Sequence, residues 1–228
     1  MTKNYKSLII LILFALQVVS SWAQKPFVFH NKKFRIAQFT DLHWDAKSPK
    51  CDSTRTTILN ILQREKPDIA ILTGDVVTEK PYEKGWKQII EIFETARIPF
   101  VVTMGNHDAE HFSRDEIYRM LFASQFYACL PCHKEISGNG NCALPIYDNN
   151  TANAKPKAVL YCIDSNDYQP DKDLGEYDWI HFDQIEWYRL TSEAFTLQNN
   201  KRPLPSLMFF HIPLVEYHNV LERGDYQG

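Results

Sequence analysis

Four short groups of residues carry side chains able to hold metal ions or move protons: Asp41-Leu42-His43, Gly74-Asp75, Gly105-Asn106-His107-Asp108, and His211. Carboxylate, imidazole and amide together make the ligand set that hard and borderline divalent cations accept. In an Asp-x-His turn alternate residues point the same way, so Asp41 and His43 can face one ion. Gly74 and Gly105 permit backbone turns that aim the next residue into a crevice. Taken singly, each group is a common accident, because strand-end aspartates cap helices and lone histidines are mostly structural. Taken jointly they point to one divalent-metal site, provided the fold gathers them.

The hydrophobic pattern supplies such a fold. Lys33 to Thr40 alternates through Phe34, Ile36 and Phe39 and reads as a strand. Ser53 to Lys66 has Ile58, Leu59, Ile61 and Leu62 at helical spacing, with Asp52 or Ser53 as N-cap and Pro67 as its stop. Ile69 to Leu72 is a continuous apolar run, the mark of a strand buried on both faces. Tyr82 to Ala96 reads as a helix, Pro99 to Thr103 as a third buried strand, and Ser113 to Glu116 as a capping box opening another helix. This strand–helix alternation is a parallel α/β layout. Cys142 to Tyr147 and Lys157 to Ile163 then resemble an antiparallel pair. A helix from about Asp178 to Leu197 follows, with Ile180, Ile185, Tyr188 and Leu190 towards the core, and Ser206 to Phe210 is a last strand. Each chemical group sits just after a predicted strand. The carboxyl ends of strands line the ligand crevice of an α/β sheet, so the groups can converge.

The order and spacing of Asp41-x-His43, Gly74-Asp75, Gly105-Asn106-His107-Asp108 and His211 resemble the calcineurin-like metallophosphoesterase superfamily over about residues 33 to 215. The segments Ser137 to Tyr147, Tyr161 to Ser165 and Phe209 to Leu214 resemble its purple-acid-phosphatase-like branch. The resemblance implies a β-sandwich flanked by helices and hydrolysis of small phosphate esters by a hydroxide that two metals activate. Asp41 and His43 would bind the first metal, Asp75 would bridge, and Asn106 and His211 would bind the second. One carboxylate can hold two cations about 3.5–4 Å apart. His107 would donate a proton to the leaving group or stabilise its charge. Asp108 would either hold His107 in its tautomer or cap the following turn. Thr78 stands where purple enzymes carry a tyrosine, so manganese, iron or zinc are the expected ions. The superfamily's Gly-His-x-His motif has no match after His211. The expectation is therefore a domain incomplete at its C-terminus, or a degenerate protein that binds metal or phosphate without turnover.

Composition narrows the partners. The 228 residues are 44% hydrophobic and 23% charged with a net charge of −3, and no basic stripe suggests nucleic acid. Lys3 and Lys6, the apolar run Leu8 to Val19 and Ser21-Trp22-Ala23 form a signal peptide pattern. That run is too short for the about 20 residues of a bilayer span. Export with cleavage after Ala23 is expected, leaving 24–228 as the phosphoesterase domain and no membrane span. Of the five cysteines, Cys129, Cys132 and Cys142 crowd one segment, where a local disulfide is favoured over a zinc clip with His133. Cys162 reads as a buried strand residue. His111, Trp44 and Asp45 lie close enough to the motifs to touch substrate, with solvated loop as the alternative.

Overall fold

The computed structural model describes residues 26–130, 136–151 and 153–224. The leader 1–23, Cys132 and His133 lie outside them. In chain order the elements are β1 (Phe27–Val28), β2 (Ile36–Phe39), α1 (Lys50–Glu65), β3 (Ile69–Thr73), α2 (Tyr82–Ala96), β4 (Phe100–Thr103), α3 (Arg114–Ala123), β5 (Cys142–Tyr147), β6 (Pro156–Cys162), α4 (Phe182–Gln198), β7 (Ser206–Phe209) and α5 (Val215–Arg223). They form a mixed α/β fold with two sheets. One is parallel, in the order β2-β3-β4; the other is mixed, in the order β1-β5-β6-β7.

The parallel sheet forms because its central strand has no polar face. All five residues of β3 are buried, and so are all four of β4. α2 covers this sheet with Trp86, Ile89, Ile90, Ile92 and Phe93, and Phe93 stacks on Phe100 of β4 at 4.8 Å. Burying side chains of this size contributes about 1.5–3 kcal/mol each. In the second sheet β5 and β6 pair antiparallel, as expected, and β7 joins β6 in parallel, Val159 opposite Ser206 and Cys162 opposite Phe209. That parallel pairing sends the chain after β7 towards the same end as the chain after β6. No helix among the described residues is long and apolar enough to cross a membrane.

Several expectations are corrected. α1 begins at Lys50 with Pro49 as its N-cap, so Asp52 and Ser53 lie inside the helix. The capping box at Ser113 does form, with Glu116 N–H donating to Ser113 Oγ and Ser113 N–H to Glu116. Of the residues expected towards the core, Ile185 and Leu190 are each about half accessible, Tyr188 is half-buried edge-on to Tyr161 of β6 at 4.8 Å, and Ile180 precedes the helix. The buried residue of α4 is the polar Gln184. Its amide donates to Asn141 Oδ1 at 3.0 Å and to the Asp164 carbonyl at 2.7 Å. The local disulfide is absent among the described residues. Cys129 is a buried thiol that faces the Leu130 and Gly140 carbonyls, and contact with Cys142 together with burial raises its pKa.

Candidate metal centre at the strand ends

Backbone pairing continues past β2 and β3 and sets the first two motifs side by side. Asp41 N–H donates to the Gly74 carbonyl at 3.1 Å, His43 N–H to Asp75 at 3.0 Å, and Trp44 N–H to Val76 at 2.9 Å. Asp41, His43 and Asp75 take left-handed backbone conformations, with φ of 52°, 43° and 51°. These turn the three side chains off the ends of the strands, and Asp, Asn and His are the non-glycine residues enriched in that region.

Two glycines make room for the cluster. A Cβ on Gly105 would stand 2.2 Å from Asp75 Oδ1 and 2.5 Å from the Asp75 nitrogen. A Cβ on Gly74, at φ +87°, would stand 2.3 Å from His211 Nδ1. Any side chain at either position displaces a group of the cluster.

The structure brings Asp41, Asp75 and His211 together, one ligand atom of each within 4.8 Å of the others. His43 Nε2 lies 3.9 Å from Asp41 Oδ1 and 3.9 Å from Asp75 Oδ2. His211 arrives from the other sheet. Its Nδ1 donates to the Thr73 carbonyl at 2.8 Å, which leaves Nε2 facing Asp75 Oδ1 at 3.5 Å. A metal-binding histidine typically has this arrangement, one ring nitrogen tied to a carbonyl and the other aimed at the ion.

The charges are mutually supporting. Burial pushes the Asp75 carboxyl up, but hydrogen bonds from the His211 ring and the His107 N–H outweigh it and hold it below its ordinary value. Burial pulls the His211 ring down; the Asp75 carboxylate, the Thr73 carbonyl and Asp41 outweigh it and lift it to about 9. A positive ring therefore neutralises the carboxylates where a cation would sit. Two carboxylates and one imidazole on one spot, with the His43 ring 3.9 Å from both carboxylates, make a donor set that fits a divalent ion.

The third motif follows β4. His107 N–H donates to Asp75 Oδ1 at 3.1 Å, and the His107 ring lies 5.9 Å from that of His43. Asn106 is buried, with its Nδ2 donating to the Tyr168 hydroxyl at 2.7 Å. Asp108 takes neither expected role: its carboxylate ties the end of β3 to the turn after β4, rather than capping the following turn or holding the His107 ring. It is 1% exposed and accepts from Val76, Val77 and Gly105 N–H at 2.7, 3.0 and 2.9 Å. Burial lifts it to about 6 against those three donors. The partner of His107 is Glu110, at 2.8 Å from Nδ1. Glu110 and Tyr168 were missed by the motif reading; only the three-residue spacing of Glu110 from His107 hinted at either.

Trp44 does not reach substrate. It is a core residue, 2% exposed, whose Nε1 donates to Gln88 of α2 at 2.9 Å. Asp45 closes its own turn by accepting from Lys47 N–H. His111 packs on Tyr82, ring centroids 5.8 Å apart.

A family profile described as calcineurin-like phosphoesterase matches residues 34–226. Among curated relatives, the chain is similar to an Arabidopsis thaliana protein named probable inactive purple acid phosphatase 29, at 30% identity over 218 residues, 82% of this chain and 56% of that one. It is also similar to phosphatase DCR2 of Saccharomyces cerevisiae, at 29% identity over 228 residues, 89% of this chain and 38% of that one. The chain thus spans about half or less of the length of these relatives. A crystal structure of a dimetal phosphatase from Danio rerio shares the fold, with a TM-score of 0.55 at 13% identity, covering 79% of this chain and 70% of that one.

Proposed function

The chain belongs to the calcineurin-like phosphoesterase family, and on that premise we propose that it hydrolyses small phosphate esters at the cluster of Asp41, His43, Asp75, Asn106 and His211. The observation that carries this reading is the convergence of Asp41, Asp75 and His211 from two sheets onto one point, beside a histidine, His107, that is not among them. Asp41 and His43 would hold one divalent ion, Asn106 and His211 would hold a second, and Asp75 would serve both. Manganese, iron and zinc suit the donors. When bound, such ions supply Lewis acidity that neutralises phosphoryl charge and lowers the pKa of water.

The residues of the chain do the rest. Asp75, held ionised by His211 and the His107 N–H, keeps its charge in a buried setting. His107, 40% exposed at its side chain, stands at the open side of the cluster. Water gives one proton to solvent and attacks phosphorus as hydroxide, the bond from phosphorus to the ester oxygen breaks, and the protonated His107 ring passes its proton to the departing oxygen.

His107→Ala tests the assignment. The metal content of the variant stays at the wild-type level, while turnover of an alkyl phosphate drops by about 10²–10⁴-fold. The drop shrinks for a nitrophenyl ester, whose leaving oxygen needs no proton. Loss of metal from His107→Ala would show that the ring is a ligand instead.

The names of the plant relatives favour a second reading, a metal- or phosphate-binding protein without turnover. Metal binding with no measurable hydrolysis in the wild-type protein would select it. The leader pattern supports export, and mature protein recovered from a bacterial host then begins at Gln24; recovery with Met1 intact would exclude cleavage.

A further inference from the structure

Two residues outside every strand-end motif sit directly behind them. Glu110 Oε1 lies 2.8 Å from His107 Nδ1 and accepts from the Tyr168 hydroxyl at 3.0 Å. The Tyr168 oxygen lies 2.7 Å from Asn106 Nδ2 and 3.4 Å from His107 Nδ1.

Counting protons decides every orientation in this group. A carboxylate has lone pairs and no hydrogen, so it can only accept. The single hydroxyl hydrogen of Tyr168 therefore goes to Glu110. Its oxygen can then only accept from Asn106, so Asn106 presents its NH2 to Tyr168. The amide has one oxygen, and it is not the atom that faces Tyr168. By the same rule His107 must donate from Nδ1 to Glu110, which makes Nε2 the nitrogen that exchanges a proton with substrate.

The ring of Tyr168 is itself held. It meets His107 edge-on, with centroids 6.1 Å apart, and stacks on Tyr177 at 5.8 Å. Arg114 anchors the loop that carries it, through Asp164 and the Asn166 carbonyl.

We propose that Glu110 is a positioning residue which, directly and through Tyr168, sets the tautomer of His107 and turns the Asn106 carbonyl oxygen towards the metal centre. The proposal rests on the reading of Asn106 as a ligand and His107 as the proton donor. A half-exposed pair such as His107–Glu110 adds little to stability, so its variants keep the wild-type melting temperature.

Two measurements separate the roles. The first is a titration of each protein with Mn2+ alone and with Zn2+ alone. Tyr168→Phe weakens one of the two ions by about 10–100-fold, the range for losing an outer hydrogen-bond partner of a ligand, and leaves the other unchanged. The second is nitrogen NMR of ring-labelled histidine in the metal-free protein. His107 carries its hydrogen on Nδ1 in the wild type and in Tyr168→Phe, whereas Glu110→Gln yields a mixture of tautomers. An unchanged tautomer in Glu110→Gln overturns the proposal for His107, and wild-type affinity for both ions in Tyr168→Phe overturns it for Asn106. If the wild type binds no metal, the proposed function and the Asn106 role fall together, and the NMR arm still decides the role of Glu110.

Discussion

Asp75→Asn yields a folded protein that retains neither ion tightly and has no phosphoesterase activity above background: this is the largest expected effect at the site. Asp75 is the carboxylate on which the rest of the cluster closes. It faces His43 and His211 and accepts the His107 N–H. An amide in its place removes the negative charge and sets a donor against a donor. The loss in affinity exceeds the about 10–100-fold typical of an outer partner, because the shared ligand itself is gone. The metal-free protein supplies the internal control. In the wild type Asp75 and the Thr73 carbonyl outweigh burial and lift the His211 ring to about 9; in Asp75→Asn the opposing burial prevails and its titration is expected to move down. An NMR titration of His211, run beside metal analysis, distinguishes a dismantled site from an unfolded chain. Two tightly held ions in Asp75→Asn would refute the shared role.

Arg114→Leu is expected to cost about 3–5 kcal/mol of folding stability, the range for breaking one side of a buried ion pair. Asp164 is fully buried at its side chain and meets the Arg114 guanidinium. Without it the carboxylate keeps only the backbone N–H groups of Asn139 at 2.7 Å and Asn166 at 3.0 Å. The same arginine reaches the Asn166 carbonyl and Asp167, so it ties α3 to the loop that follows β6. Arg114→Leu with Asp164→Leu is the informative companion, because removing both charges leaves no unpaired ion and recovers much of the loss. Urea denaturation of the three proteins measures this. A single-variant loss under about 1 kcal/mol would put the pair in the class of surface bridges.

The parts of this fold that were legible from sequence are those whose cause is local. β3 could be read because four consecutive apolar residues leave no exposed face, and α2 because Trp86, Ile89, Ile90 and Phe93 recur at helical spacing, and all four are buried. The strand-end motifs were legible for a related reason: a buried strand must end, and a glycine there marks a turn. α4 was misread because apolar periodicity reports composition and not which neighbour is present. α4 meets two kinds of neighbour: Trp187 and Tyr188 pack on Tyr161, while Asn141 and the Asp164 carbonyl select Gln184 as its fully buried residue. Tyr168 was invisible for the same reason in stronger form, since it meets Glu110 across 58 residues of chain. Asp108 was ambiguous in sequence, and the three converging backbone donors that decide its role exist only once β3 and β4 are paired.

The left-handed backbone at Asp41, His43 and Asp75 has an evolutionary consequence. A side chain in that region costs about 1–2 kcal/mol relative to the right-handed one, and glycine escapes it. Selection for folding alone therefore favours glycine at all three positions, and only selection for the chemistry opposes it. On the proposed function, a lineage released from catalysis would drift first at 41, 43 and 75, gaining stability as it lost ligands, while the apolar residues of β3 stayed fixed. The identity of these three residues in any descendant thus records how recently its active site was last under selection.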